Sequence, residues 1–252
     1  MIKSIVMHDI PMTHIAAMER WYWKDHSAEI VGRYGPWEQR HDSYMPVPAP
    51  EEARAYGMYN WRVTEGWWRE IPKPGPQGCL SFTLPPVWPK VATCFIPVQP
   101  TEDFLGSEIQ PNQKYILRWY ILMKYPEGVA REEGEDWFLN THVKEIVQQP
   151  QLYRFFSYQT IREPIGLPGT WPPDTHPPEG SVKIKWDRVC ELWYENFDDW
   201  RKSVIEEPPS YTKPSWAKFD CFPFLEPFED FVCSFLLERP TDEFLKNFRA
   251  YS

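Results

Sequence analysis

The sequence lacks the features that define several large protein classes. It has no apolar run near the roughly 20 residues that cross a bilayer, so we expect no membrane span. Its net charge is −9, and the basic side chains form no long run, which argues against a protein that tracks nucleic-acid phosphates. The first residues contain a strand-sized apolar segment rather than a signal-peptide core, and we therefore expect a cytoplasmic protein.

The sequence also lacks the motifs of the common cofactor and nucleophile sites. Its five cysteines are widely spaced and include no CxxC pair, which excludes zinc-knuckle and disulfide-framework folds. GxGxxG, P-loop and GxSxG patterns are absent as well. We therefore expect neither a bound metal ion nor a cofactor.

Aromatic residues and prolines, in contrast, are abundant. The chain has 14 Trp, 13 Tyr, 15 Phe and 28 Pro among its 252 residues. Aromatic side chains in this number fill a core or line a cavity for a flat apolar ligand. The composition does not distinguish between these two uses.

An internal repeat is the strongest pattern in the sequence. Residues 21–31 and 137–147 share the pattern W-[YF]-x-x-x-H-x-x-E-I-V, 116 positions apart. The same spacing relates Met7 to Met123. Further matches relate Trp61 to Trp193 and Trp68 to Trp200 at a spacing of 132, and residues 94–104 to 221–231 at a spacing of 127. The order of the matches is constant, which indicates a tandem duplication.

Each copy is predicted to contain two helices and four strands in the order βαββαβ. In the first copy we predict these elements at residues 4–10, 15–32, 37–45, 56–63, from 64 onward, and 91–98. In the second copy we predict them at 115–124, 131–148, 152–161, 185–195, from 198 onward, and 218–225, with a Pro-rich loop at 163–180 and a short closing helix at 240–252.

This order is the ferredoxin-like motif, in which both helices cover one face of an antiparallel sheet. Two such sheets are expected to bury their bare faces against each other. We therefore predict an α+β fold with two tandem ferredoxin-like repeats, 1–110 and 111–252, that form a pseudo-dimeric α+β barrel.

The shared helix pattern with its late histidine, the aromatic strand after it and the later Trp-Arg pairs resemble EthD-type proteins of the dimeric α+β barrel superfamily. The resemblance covers residues 3–236, with two units fused in one chain. It implies a cofactor-independent lyase or isomerase, a polyketide cyclase, a small quinone-forming monooxygenase or a haem-dependent enzyme. It also implies that His26 and His142 point into a cavity between helices and sheet. Many EthD-type proteins continue with a small residue, Pro and Leu, whereas this chain has Ser-Ala-Glu and Val-Lys-Glu.

The duplicated histidines are the leading candidates for acid–base catalysis. An imidazole can take a proton from an acidic C–H or O–H group and return it elsewhere. We favour the first copy, because Asp25, Arg40, His41 and Tyr44 place more polar groups near His26 than the second copy places near His142.

Strand alternation divides the other candidates between two faces. Arg40 and Tyr44 lie on one side of their strand and His41 on the other, so only one of these two sets can face the helices. Tyr44 and His41 are therefore alternatives for the second acid or base. In the second copy the corresponding alternatives are Tyr158 and Ser157.

The remaining candidates are side chains that could hold a substrate. Glu29 lies three residues after His26, where it could orient the imidazole, face solvent or form a His-x-x-Glu metal pair. We expect the first or second role, because two helices supply too few ligands for a di-iron bundle. The predicted substrate-binding residues are Tyr22, Trp23, Glu29, Arg40 and Trp61.

Three functions are compatible with these residues. The first is a cofactor-independent lyase, dehydratase or isomerase that acts on a small apolar, aromatic compound. The second is a cofactor-free or haem-dependent monooxygenase, and the third is a non-catalytic accessory protein that binds such a ligand. Each needs only a small-molecule partner, and homodimerisation is left open.

Overall fold

The computed structural model describes residues 1–35, 37–69, 83–98, 102–106, 115–162, 177–183, 185–237 and 242–243. In chain order its strands are β1 (Ile2–Asp9), β2 (Glu38–Tyr44), β3 (Arg62–Trp68), β4 (Lys90–Pro97), β5 (Glu102–Leu105), β6 (Leu117–Met123), β7 (Arg154–Gln159), β8 (Val182–Lys183), β9 (Arg188–Tyr194), β10 (Phe231–Leu237) and β11 (Asp242–Glu243). Its α-helical segments are α1 (Ile15–Trp21), α2 (Ser27–Tyr34), α3 (Arg131–Trp137), α4 (Val143–Ile146) and α5 (Phe197–Arg201), and there are 3₁₀ turns at Met12–His14 and Glu51–Tyr56.

Both repeats build an antiparallel sheet with the same strand order. The first sheet runs β2-β3-β1-β4 and the second runs β7-β9-β6-β10. A π-helical turn, Tyr22–His26, joins α1 to α2, and a second one, Phe138–His142, joins α3 to α4. We call these two composite helices the first-repeat helix and the second-repeat helix. In the second repeat, α5 and the π turn Lys202–Glu206 connect β9 to β10.

The two repeats exchange strands at the edges of their sheets. β5 follows the first repeat along the chain but pairs with β7, and β11 follows the second repeat but pairs with β2. β4 pairs with β8, and the amide of Ile161 donates to the carbonyl of Phe95 in β4 at 2.8 Å. β10 receives the amide of Tyr59, which donates to the carbonyl of Cys233 at 2.8 Å. Since each outer strand is paired by the opposite repeat, the sheets close into one barrel.

A network of buried charges lies between the two inner sheet faces. Lys3 pairs with Glu65 at 2.8 Å and Arg118 with Glu191 at 2.8 Å, and Arg118 also approaches Glu65 at 3.7 Å. The hydroxyls of Tyr44 and Tyr120 both donate to Glu65 at 3.1 Å. Burial alone would raise the pKa of Glu65, but attraction to Lys3 and Arg118 lowers it to about 2.

Apolar side chains from both sheets surround this network. Buried residues of β1 and β4, such as Ile5 and Cys94, share one core with Leu122 of β6 and Val232 of β10. The chain is therefore an α+β protein in which two ferredoxin-like repeats form a pseudo-dimeric α+β barrel, and the predicted fold class is confirmed. No helix in the described part of the chain has the length and apolarity needed to cross a membrane.

The strand ladders give a repeat alignment that differs from the sequence alignment. Trp67 lies opposite Lys3, and Trp193 lies opposite Arg118. The ladders therefore make Trp67, and not Trp61, the equivalent of Trp193. The predicted equivalence of Trp61 with Trp193 is therefore wrong. So is that of Met7 with Met123, because Met7 belongs to the barrel core whereas Met123 packs under the helices. Trp68, likewise, lies on a strand and Trp200 in a helix.

Several predicted elements also differ. A helix starting near residue 64 is wrong, because Arg62–Trp68 is a strand; residues 70–82 lie outside the described residues. The strand predicted at 218–225 is wrong as well, because the fourth strand of this repeat is β10, Phe231–Leu237. The closing helix predicted at 240–252 is contradicted at Asp242–Glu243, which form β11, and its remaining residues lie outside the described part of the chain. Residues 163–176 of the Pro-rich loop and the predicted boundary between 110 and 111 also lie outside it.

The central charge network predicts a large stability effect. Arg118→Met should lower the free energy of unfolding by about 3–5 kcal/mol, because it leaves the Glu191 carboxylate buried without its cation. Urea denaturation followed by circular dichroism measures this loss. Arg201→Met is the matched control, since Arg201 pairs with Glu52 at the surface, and its urea midpoint should hardly change. Equal losses in both variants would contradict the role of the network.

Candidate active site

Both predicted histidines end a π-helical turn. In each turn an amide five residues on donates to the first carbonyl: Ser27 to Tyr22, and Val143 to Phe138. Such turns widen a helix locally and occur frequently at functional sites. The duplication has therefore kept not only the histidine but also the backbone distortion that presents it.

An arginine holds each helix against its sheet in the same way. Arg62 Nε donates to Glu19 at 3.0 Å, and its guanidinium lies 4.2 Å from the Tyr22 ring centroid. Arg188 Nε donates to Glu135 at 2.8 Å, and its guanidinium lies 4.2 Å from the ring centroid of Phe138, the second-repeat equivalent of Tyr22. A serine on the neighbouring strand, Ser43 or Ser157, accepts from each arginine at 2.8 or 3.1 Å. Because both repeats contain this arrangement, we assign it to the packing of the helix against the sheet.

A second shared arrangement explains Glu29. The indole of Trp21 donates to the carbonyl of Thr83 at 2.8 Å, and Glu29 accepts from the Thr83 hydroxyl at 2.7 Å. In the second repeat Trp137 binds the carbonyl of Thr212 at 3.3 Å, and Glu145 accepts from its amide at 3.0 Å. Both glutamates thus fasten the segment before the fourth strand to the helix. Among the described residues, no group of three or more His, Cys, Asp or Glu could hold a metal ion.

The two repeats differ where the sheet faces its helix. The ladders align four polar or small positions of the first sheet with larger or apolar ones of the second, and the repeated helix pattern adds a fifth in the helix. These pairs are His8 with Met123, Tyr22 with Phe138, His41 with Phe155, Thr64 with Cys190 and Gly66 with Leu192. The first repeat therefore presents a polar wall under its helix, and the second presents an apolar one.

In the first repeat, the polar wall is organised around Tyr22. Its hydroxyl lies 3.3 Å from the Ser43 hydroxyl and 3.1 Å from the Thr64 hydroxyl. The His26 ring lies beside it, with centroid distances of 5.3 Å to Tyr22 and 4.6 Å to Trp21. His26 is partly exposed, but its Nδ1 is shielded from solvent and has no hydrogen-bond partner among the described residues.

Burial keeps two histidines of this wall, His26 and His8, uncharged. It lowers the pKa of His26 to about 3, and repulsion from His8, His41 and Arg62 adds to the effect. Burial likewise lowers the pKa of His8 to about 4. Both imidazoles are neutral at physiological pH, with a lone pair available to accept a proton or a hydrogen bond.

The second histidine is enclosed by aromatic rings. His142 is only 2% exposed, and its ring lies 4.3 Å from Trp137 and stacks on Phe222 at 5.4 Å. Burial lowers its pKa to about 3, and its Nδ1 has no hydrogen-bond partner among the described residues. His142 is thus a packed core histidine, in contrast to the partly exposed His26.

Three predicted site residues lie on the other face of the sheet. Tyr44 and Tyr158 belong to the barrel core, and the Arg40 guanidinium lies 4.5 Å from the centroid of the Trp67 ring. Burial raises the pKa of both tyrosines. Of the two alternatives that alternation leaves open, the structure therefore brings His41, and not Tyr44, to the side of His26.

The remaining predicted residues surround the first-repeat helix. Trp61 is fully buried; its Nε1 donates to Glu19 at 2.7 Å, and its ring meets His8 edge-on at 5.5 Å. Trp23 is 48% exposed and lies 5.8 Å from the Arg62 guanidinium, and Asp25 is partly exposed in the π turn. An aromatic edge and a polar wall thus meet at His26.

Comparison with known proteins adds one sequence match. A family model described as the chalcone isomerase N-terminal domain matches residues 1–82, the part of the chain that contains β1, the first-repeat helix, β2 and β3. The matching model is not an EthD model, so that resemblance holds only at the level of the barrel. Comparison with curated proteins gives no match.

Two solved structures are similar over most of their length. One is an anthrone oxidase-like protein with 8% identity and a TM-score of 0.47, covering 96% of this chain and 91% of that chain. The other is a mutant chlorite dismutase from Candidatus Nitrospira defluvii in complex with cyanide, with 9% identity and a TM-score of 0.43, covering 98% and 94%. Similarity of this degree assigns no ligand or reaction to the chain.

Sequence reasoning missed Glu38, Thr64 and Arg62. Arg62 and Arg188 are 126 positions apart, and their partners Glu19 and Glu135 are 116 apart. A separate spacing for the third strand would have revealed this pair. The sequence carries no such signal for Glu38, because Glu38 and His41 reach the same face of the sheet only through a register shift in β2.

The neutral histidines predict an acid-sensitive fold. A histidine whose pKa falls from 6.5 to about 3 on folding stabilises the native state above pH 6.5 and progressively loses this contribution as the pH falls. Between about pH 7.5 and pH 5, one such residue costs on the order of 2 kcal/mol. His142→Phe should reduce the drop in unfolding free energy over this range by that amount. Urea titrations at both pH values measure it, with exposed His14→Gln as the control; an unchanged drop in His142→Phe would contradict the assignment.

Proposed function

We propose that the protein is an isomerase that moves a proton within a small, flat aromatic ketone of the chalcone class. Its site is the polar wall beneath the first-repeat helix, with His26 and His41 as the two imidazoles. The proposal narrows the broader prediction of a lyase, dehydratase or isomerase to one reaction type. Tyr44, Tyr158 and Arg40 are outside the proposed machinery.

The difference between the two repeats carries the proposal. Both repeats share the arginine–glutamate frame and the Trp–Thr–Glu contact, so the fold requires these. The second repeat also shows that the fold does not require polar residues on the wall, because Met123, Phe155 and Cys190 occupy the same positions there. Polar groups that packing does not demand are candidates for chemistry.

The family match supports the same region. The chalcone isomerase N-terminal model spans residues 1–82, which include Tyr22, His26, His41 and Thr64. Chalcones are aromatic enones, and the rings of Trp21, Tyr22 and Trp61 supply aromatic surface next to His26. The match therefore supports both the reaction type and the choice of repeat.

The chemistry requires only a proton acceptor, a proton donor and a site of low polarity. A hydroxyl group of the chalcone loses its proton, its oxygen bonds to the β-carbon of the enone while the C=C π bond breaks, and the α-carbon takes up a proton, so no oxidant or reductant is needed. A neutral imidazole can accept the proton, and its conjugate acid can return it. Burial beneath the helix strengthens hydrogen bonds to the charge that develops in between.

Substitution of the two equivalent histidines tests the proposal. His26→Gln should lower kcat/KM for a hydroxylated chalcone by about a hundredfold or more, because it removes a group that contacts the substrate. His142→Gln is the matched control and should leave kcat/KM within a few-fold. Loss of the enone absorbance measures turnover, and circular dichroism establishes that both variants fold.

Three outcomes would contradict the proposal. A wild-type protein that leaves a panel of hydroxylated chalcones unchanged would exclude this substrate class. Full activity in His26→Gln, or loss of activity confined to His142→Gln, would exclude the first-repeat wall as the active site.

A further inference from the structure

A buried carboxylate–imidazole pair lies in the polar wall beside the proposed site. His41 Nδ1 and Glu38 Oε1 are 2.9 Å apart, and the residues are only 8% and 1% exposed. His41 is close enough to His26 and His8 to repel a proton from each. The pair thus lies in the wall to which β1 contributes His8, the first-repeat helix contributes Glu19, Tyr22 and His26, and β3 contributes Arg62.

A strand irregularity creates the pair. Residues three positions apart on a regular strand point to opposite faces, so Glu38 and His41 would ordinarily be separated by the sheet. The pairing of β2 with β3 shifts register between Glu38 and Arg40, which adds the one residue needed to bring both side chains to one face. The ladder of β7 with β9 begins only at Arg154, the position equivalent to Arg40, so the second repeat has no strand pairing at the position of Glu38.

Gly66 makes the room that the carboxylate occupies. A Cβ at this position would overlap Glu38 Oε1 and would lie 2.8 Å from the Ser4 hydroxyl. The Ser4 hydroxyl also accepts a hydrogen bond from the indole of Trp68 at 2.8 Å, which holds Ser4 in place beside Gly66. In the second repeat Leu192 takes the place of Gly66 and Phe155 the place of His41, and both are buried. The fold therefore stands without the pair.

The geometry determines which nitrogen of His41 carries the hydrogen. A carboxylate can only accept a hydrogen bond, so Nδ1 of His41 donates and Nε2 keeps its lone pair in the neutral ring. His26, in contrast, has no partner for its Nδ1 among the described residues and so no comparable constraint. Of the two imidazoles, only His41 has a partner that sets its tautomer and stabilises the ring once it is protonated.

We propose that Glu38 is a positioning residue that fixes His41 as the proton acceptor of the isomerisation, with Nε2 taking the substrate proton and His26 acting as its neutral hydrogen-bonding neighbour. The inference rests on the proposed function. The proton taken up by Nε2 returns to the substrate at a second atom, so the pair ends each turnover unchanged.

Histidine nitrogen NMR on the substrate-free protein tests the pair independently of activity. The wild type should show His41 with a protonated Nδ1 and an unprotonated Nε2, and Glu38→Met should abolish this single-tautomer signature. Gly66→Ala should have the same effect, because its Cβ displaces the carboxylate without removing any polar group. Gly32→Ala is the control, since a Cβ there meets nothing within 4 Å, and it should leave the signature intact.

Kinetics then test the consequence for catalysis. Glu38→Met and Gly66→Ala should each lower kcat by about ten- to a hundredfold with little change in KM, by analogy with the loss of the carboxylate that orients a metal-bound histidine. Glu38→Asp should restore part of the rate, and Gly32→Ala should match the wild type. Circular dichroism establishes that each variant folds.

The outcomes separate this inference from the proposed function. A wild-type His41 whose neutral ring carries its hydrogen on Nε2, or mixed tautomers, would overturn the pair whatever the activity. A correct tautomer with unchanged kcat in folded Glu38→Met would overturn the positioning role while leaving the isomerase intact. A correct tautomer in a protein that turns over no chalcone would overturn the proposed function, and with it the catalytic role of the pair.

Discussion

The ion network at the centre of the barrel determines where chemistry can occur in this protein. Glu65 receives a cation from its own repeat, Lys3, and another from the opposite repeat, Arg118, so the two sheets are joined through one carboxylate. Buried charges tolerate little displacement, because a lost partner leaves an uncompensated charge in a medium of low dielectric. The inner sheet faces are therefore committed to holding the repeats together. Any site for an apolar ligand must lie on the outer faces, beneath the helices.

The duplication acts as an internal control on each outer face. The same helix, π turn and arginine appear twice, but the positions around them that are polar or small in the first copy, such as His41 and Thr64, are larger or apolar in the second. In the second copy Phe138, Phe155 and Leu192 fill this space and His142 is packed between rings. One repeat has thus become a hydrophobic support, and the other has kept a partly exposed histidine. The positions at which the two copies diverge are the candidates for chemistry, and no external alignment is needed to find them.

The sequence predicts the architecture well because the relevant signals are local. The repeated helix pattern and the order of elements suffice for two ferredoxin-like units and for the pairing of His26 with His142. Strand alternation correctly separates His41 from Tyr44 but cannot decide which face meets the helix, because both faces of β2 are buried. A one-residue error in the alignment of β1 with β6 reverses the face of every side chain, and this is why Met7 and Met123 are mismatched.

The features that the sequence does not reveal depend on contacts between distant elements. The exchange of β5 and β11 requires knowledge of which edges are open, and neither segment is long enough to show a strand pattern. The bulge that turns Glu38 towards His41 arises from the pairing of two strands and leaves no motif in either. The second helix of the first copy was predicted from Trp68, whose side chain in fact reaches the Ser4 hydroxyl from a strand.

The unpaired imidazole nitrogens show how the fold and the proposed function are connected. A buried polar atom without a partner costs about 1–3 kcal/mol, so its presence in both repeats calls for an explanation. At His142 apolar rings surround the nitrogen, and the ring is kept neutral at the expense of acid stability. At His26 the surrounding wall is polar and the ring is partly exposed, although Nδ1 itself is shielded from solvent. The same unsatisfied atom therefore lies in an aromatic cage in one repeat and beside polar side chains in the other, and this is the difference on which the proposed function rests.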